Sequence, residues 1–70
     1  MSMAILYADK DKDGNVPLLI VSFGDKVDIE LRHYYEGQDR ATAYHFVNRQ
    51  QVKMICDGLS RWLNGEVESD

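Results

Sequence analysis

Val27-Asp28-Ile29-Glu30-Leu31-Arg32-His33-Tyr34-Tyr35-Glu36 sets one class of residue against another at every step. Val27, Ile29, Leu31, His33 and Tyr35 fall in one phase, and Asp28, Glu30, Arg32, Tyr34 and Glu36 in the other. Successive strand side chains point to opposite faces, so period two over this length predicts an antiparallel strand with one face buried. Upstream, Gly24-Asp25-Lys26 reads as a turn and residues 16–23 as a strand that is apolar on both faces. Leu18 and Ile20 point one way there, and Leu19, Val21 and Phe23 the other. Pro17 stands near its beginning, where a missing amide is tolerated. Further upstream, residues 9–15 form a polar connection in which Asp13-Gly14 can supply positive φ angles, and residues 4–8 read as a first strand. Downstream, residues 37–40 turn the chain, and residues 42–47, rich in aromatic and β-branched side chains, make a fourth strand.

The period then changes. Asn48 is placed to cap a helix, and Gln51 completes a capping-box pattern. Val52, Ile55, Cys56, Leu59, Trp62 and Leu63 recur at helical spacing and form one apolar stripe, which Gly65 ends as a C′ residue. Gly58 interrupts the helix at a cost of about 1 kcal/mol against alanine, which suggests close packing on the sheet or simple tolerance. The expected fold is therefore α+β: a four-stranded antiparallel β-meander followed by one C-terminal α-helix packed on one sheet face (ββββα). Residues 1–65 make the single domain, and residues 66–70 a disordered acidic tail. One helix covers one face of such a sheet. The second strand is apolar both ways, so the remaining face calls for company, from a second copy or a protein partner.

The chain has 70 residues, near the lower limit for a core with no staple. With 44% hydrophobic and 29% charged residues it is a folding sequence and not a disordered one. The net charge is −4, of which Glu66, Glu68 and Asp70 supply −3, leaving −1 for residues 1–65. A body so close to neutral is a poor binder of duplex nucleic acid, so a nucleic-acid partner is disfavoured. Cys56 is the only cysteine, which rules out an intrachain disulfide and a multi-cysteine zinc site; its place in the stripe predicts a small core residue. The apolar runs are too short to span a bilayer, and no basic stretch leads into an apolar one. A cytoplasmic setting without membrane contact is expected.

Asp9-Lys10-Asp11-Lys12-Asp13-Gly14 resembles the opening of an EF-hand calcium loop. The twelfth position, where that family places a bidentate glutamate, is Ile20, and the flanks read as strands. A polar hairpin loop is the expectation, with weak calcium binding at Asp9, Asp11 and Asp13 as an alternative. His33 and His45 carry no metal-ligand spacing, and their strands predict structural histidines. Ser22 and Ser60 lack a nucleophile elbow, and no phosphate loop is present. The chain is therefore expected to be no enzyme, with no catalytic residue, metal or cofactor.

Two surfaces remain for binding. Arg49 and Lys53 lie one turn apart at the helix start, where positive charge opposes the helix dipole; Arg40, in the preceding turn, could join them against an acidic partner. Asp57 and Arg61 read as a favourable i, i+4 pair. Tyr34, Tyr35, Tyr44 and Phe46 form the second surface. With Tyr35 inside beside Leu31, Tyr34 falls outside beside Arg32, and tyrosine with arginine is the composition of interface hot spots. The expected partner-binding residues are Arg32, Tyr34, Arg40, Arg49 and Lys53.

The layout of four strands and a helix, with the stretch from Val27 to Glu36, resembles transcriptional coactivators that bind single-stranded DNA as dimers. Separately, Phe46-Val47-Asn48-Arg49-Gln50-Gln51-Val52 running into an amphipathic helix is similar in style to small phage or prophage accessory proteins. Several anti-CRISPR inhibitors among those act by occupying a host protein's surface. The leading expectation is a non-enzymatic protein-binding module, homodimeric, of this phage-inhibitor type. The alternative is a single-stranded nucleic-acid-binding dimer.

Overall fold

A computed structural model of the chain describes residues 2–35 and 38–67, with side chains at 2–33 and 43–67. Four strands, β1 (Met3–Asp9), β2 (Leu18–Phe23), β3 (Lys26–Tyr35) and β4 (Gln38–Val47), precede one helix, α1 (Arg49–Leu63). The strands form a single antiparallel sheet in the order β1-β2-β3-β4, so the meander and the ββββα layout stand as expected. The fourth strand is longer than its composition suggested. It begins at Gln38, paired with Tyr35, so Arg40 lies in β4 opposite His33 and not in a turn. The tail beyond Val67 lies outside the described residues.

Local chemistry explains each junction. The β1–β2 loop is held by Asp11, whose Oδ1 accepts from the amides of Asp13 and Asn15, both at 2.9 Å, while Gly14 takes φ 86°. Gly24, at φ 57°, turns the chain between Phe23 and Lys26, which face each other across β2 and β3. Pro17 precedes β2 and serves only as an acceptor, its carbonyl taking the amide of Arg32 at 2.8 Å. Each edge strand carries one bulge, between Ile5 and Tyr7 in β1 and opposite Leu31/Arg32 in β4. Edge bulges of this kind increase local twist and blunt an open edge.

The expected capping box is present in both directions. Asn48 Oδ1 accepts from the Gln51 amide and Gln51 Oε1 from the Asn48 amide, each at 2.9 Å. At the other end, the Gly65 amide donates to Trp62 O and the Glu66 amide to Arg61 O, with Gly65 at φ 75°. That pair of bonds is a Schellman motif.

Register divides the sheet into two faces. Leu18/Leu31, Ile20/Ile29 and Val27/Val47 pair across one face, with His45 opposite Ile29 and Ala43 opposite Leu31. Leu19/Glu30, Val21/Asp28, Asp28/Phe46 and Glu30/Tyr44 pair across the other. The first is here the near face, because α1 packs against β3 and brings Ile55 beside Ile29, Leu31 and Val47. The contact fades along the helix. Val52 is half-buried, but Ile55 is 39% exposed, Leu59 59% and Leu63 75%.

Asn48 is the only residue between β4 and α1, and so short a connector aims the helix away from the sheet after two turns. One expectation changes as a result. Cys56 is exposed and not a core residue, because the stripe that carries it overhangs. Of the two readings of Gly58, tolerance stands: a Cβ there would meet nothing within 4 Å.

The whole is a plate of 39 × 37 × 18 Å. Its radius of gyration is 14.3 Å, against about 11 Å for a compact chain of this length. Val21 and Val47, at 4% and 6% exposure, are the buried hydrophobic residues among those described.

Candidate protein interface

The far face has no helix over it, yet it holds the most deeply buried part of the sheet. Phe46, Asp28 and Val21 form one cross-strand row through β4, β3 and β2. Phe23 in β2 and Phe46 in β4 flank β3, and their rings meet edge-to-face at a centroid distance of 6.1 Å, so the contact bridges the intervening strand. Beneath this bridge Val21 and Asp28 are 4% and 5% exposed. Tyr44 continues the aromatic line, 6.0 Å from Phe46 and nearly perpendicular to it. Both rings remain available on their outer sides, Tyr44 at 66% exposure and Phe46 at 47%.

Along β3 the same face carries Asp28, Glu30 and Arg32 at successive same-side positions. Burial under the rings raises the Asp28 carboxyl above its ordinary value, and Glu30 adds to this by accepting a hydrogen bond from the protonated form and by its negative charge. The Arg32 guanidinium pulls the other way. Arg32 Nε lies 3.3 Å from Glu30 Oε1, with the two side chains 25% and 21% exposed. Asp28 Oδ1 has no hydrogen-bond partner among the described residues. A carboxylate in this setting costs stability, which makes it the chief polar irregularity of the sheet.

The expected site residues do not converge. Arg32 is on the far face, beside the exposed rings. Arg49 and Lys53 lie on the other side of the sheet, lining a groove of about 320 Å³ between the helix start and the β2–β3 turn, together with Asp25 and Lys26. Arg32 is six residues along β3 from Lys26, roughly 20 Å at strand spacing. Lys53 is already engaged: its Nζ is 2.9 Å from Asp57 Oδ2. Asp57 therefore pairs toward the helix N-terminus with Lys53, and not toward Arg61 as expected. The backbones of Tyr34 and Arg40 belong to the far end of the β3–β4 hairpin, away from Arg49; their side chains lie outside the described residues.

Sequence reasoning singled out Tyr44 and Phe46, but it missed Phe23 and Asp28. Phe23 falls on the same face as Val21 in the sequence reading but has no assigned role there; Asp28 looked like a solvent-facing charge until the register placed Phe46 opposite. Asp9, Asp11 and Asp13 do not come together. Among the described residues no group of three histidine, cysteine or acidic side chains is disposed to hold a metal ion. Among the same residues no helix is long and apolar enough to cross a membrane.

A second opening, of about 310 Å³, lies on the near face between α1 and the sheet. Ile29, Leu31, Ala43, Tyr44, His45, Val47 and Ile55 line it, so its walls are mostly apolar. Comparison with protein-family models, with curated proteins and with solved structures gave no match.

Proposed function

We propose that this chain is a non-enzymatic binding module, homodimeric, that docks on another protein through its far face. The observation that carries the reading is the pair of exposed rings, Tyr44 and Phe46, standing beside the half-buried Arg32–Glu30 ion pair. Aromatic and arginine side chains lose little entropy on docking and desolvate large areas, which is why they dominate interface energetics. Asp28 supports the same reading. An unfavourable buried carboxyl in the middle of a packed row has no role in holding this sheet together, and such local conflicts concentrate at functional surfaces. The mode of action in this reading is occupancy of a partner's surface, in the style of the phage-type inhibitors named above. A nucleic-acid strand fits less well, since Asp28 and Glu30 put carboxyl groups directly opposite Phe46 and Tyr44.

The test is site-specific photo-crosslinking in the native cell. Benzoylphenylalanine in place of Tyr44 should give one discrete heteroadduct that Arg32→Glu weakens and that the same probe at Lys12 does not give. Absence of a heteroadduct at Tyr44 overturns the docking reading. Tight, steeply salt-dependent binding of a single-stranded oligonucleotide would replace it with the alternative.

A further inference from the structure

The chain exposes far more surface than a folded protein of its mass. Its accessible area is 6023 Å² for 8.1 kDa, whereas the scaling of folded monomers gives roughly 4,500 Å². The excess, about 1,500 Å² per chain, matches what each partner contributes to an obligate homodimer, where roughly 2,000–5,000 Å² is buried in total. The exposed large apolar residues show where part of it lies. Leu59, Trp62 and Leu63 overhang at 59%, 58% and 75% exposure, and Leu31 on the near face is 53% exposed. Leu59 and Trp62 continue the helix edge that begins with Ile55, the residue already seated against Ile29 and Val47.

We infer that a second copy of this chain closes the near face by reciprocal exchange, the overhanging half of each α1 lying on the β3–β4 surface of the other copy. This rests on the homodimeric reading above and assigns its geometry. One molecule carries both complementary parts, an apolar rod end and an open apolar sheet surface, on the same side. A two-fold axis therefore satisfies both at once and closes the assembly. The occupied region on each sheet is the opening lined by Leu31, Ala43 and Val47, and the occupant is the Leu59–Trp62–Leu63 segment of the other copy. Leu31, Ala43 and Val47 on one part and Leu59, Trp62 and Leu63 on the other are all apolar, so the contact between them has the core-like character of obligate dimers. The far face around Phe46 and Arg32 stays open for the heterologous partner.

Mixed samples of labelled and unlabelled full-length chain test this by isotope-filtered NMR. Intermolecular contacts are expected from the Trp62 indole and Leu59 methyls to Leu31 and Ala43. Trp62→Glu is expected to raise the dimer dissociation constant about 100-fold or more, as for a central interface anchor. Arg61→Glu, on the opposite helix edge, should change it by less than about 3-fold. Far-UV circular dichroism of the variants separates loss of association from loss of the helix, and the labelled-mixture contacts need no variant at all. A dimer whose intermolecular contacts run instead through Phe46 or Ile5 overturns the exchange and leaves homodimerisation standing. A monomer at the concentrations used for NMR overturns both. Because Tyr44 also lines the opening assigned to the second copy, the cross-link there reports heterologous docking only through an adduct whose mass differs from that of two copies of this chain.

Discussion

The two faces of the sheet reach burial by opposite routes. On the near face a helix is available, but it packs on β3 through its first turns, and among the described residues the deeply buried one there is Val47, at the root of the helix. On the far face no helix is present, yet Val21 and Asp28 are buried as deeply, under rings that reach over β3 from both flanking strands. In a chain this small, cross-strand side chains can shelter a core position that the single helix does not reach. The comparison also separates tasks: the near face is apolar and unfinished, while the far face is finished at its centre and carries aromatic and ionic groups at its outer edge.

Substitutions can break or sharpen that contrast. The largest effect is expected at Val21. Val21→Asp places an uncompensated charge under the Phe23–Phe46 bridge and should cost about 4 kcal/mol, a large share of what a small domain holds. Thermal or urea unfolding followed by circular dichroism should lose its cooperative transition. A variant that unfolds like the parent would show that the far face is no core.

Asp28→Asn tests the same row with the opposite sign. The amide keeps a donor for Glu30 and removes the buried charge, so stability at pH 7 should rise by about 1–2 kcal/mol. The pH dependence follows from the raised carboxyl. Between its ordinary value of 3.8 and the raised folded value, the native state holds more protons than the unfolded one. Asp28 therefore favours folding most at low pH, and that contribution is lost as pH rises through the folded value. Urea midpoints measured across the acid range should fall with rising pH in the parent at this position, and Asp28→Asn should flatten that component.

On the near face the effects are smaller because less is buried. Asn48→Ala removes the reciprocal cap and should cost about 1 kcal/mol, or roughly 4–8 °C in Tm. A much larger loss would mean that the near-face packing depends on the helix start more than its exposure suggests. Lys53→Ala breaks an ion pair whose side chains are 74% and 62% exposed, and the expected cost is only about 0.3–0.5 kcal/mol. Repeating the measurement in high salt should remove most of that difference.

The sequence by itself determined the elements, their order and both helix ends. Alternation from Val27, the turn glycines Gly14 and Gly24, the Asn48–Gln51 box and the Gly65 stop all act between neighbours a few residues apart, so they can be read without knowing the fold. The sorting of β2 into Leu18 and Ile20 against Leu19, Val21 and Phe23 was legible for the same reason. Only the tertiary structure decided what those faces meet. Phe23, Asp28 and Phe46 become one packed group through register between separate strands, and Lys53 rather than Arg61 takes Asp57 through the rotamers chosen on one helix face. The stripe from Val52 to Leu63 announced a helix with an apolar side. Whether that side is buried depended on the direction in which a one-residue connector launches it, a property of three-dimensional geometry that no local pattern encodes.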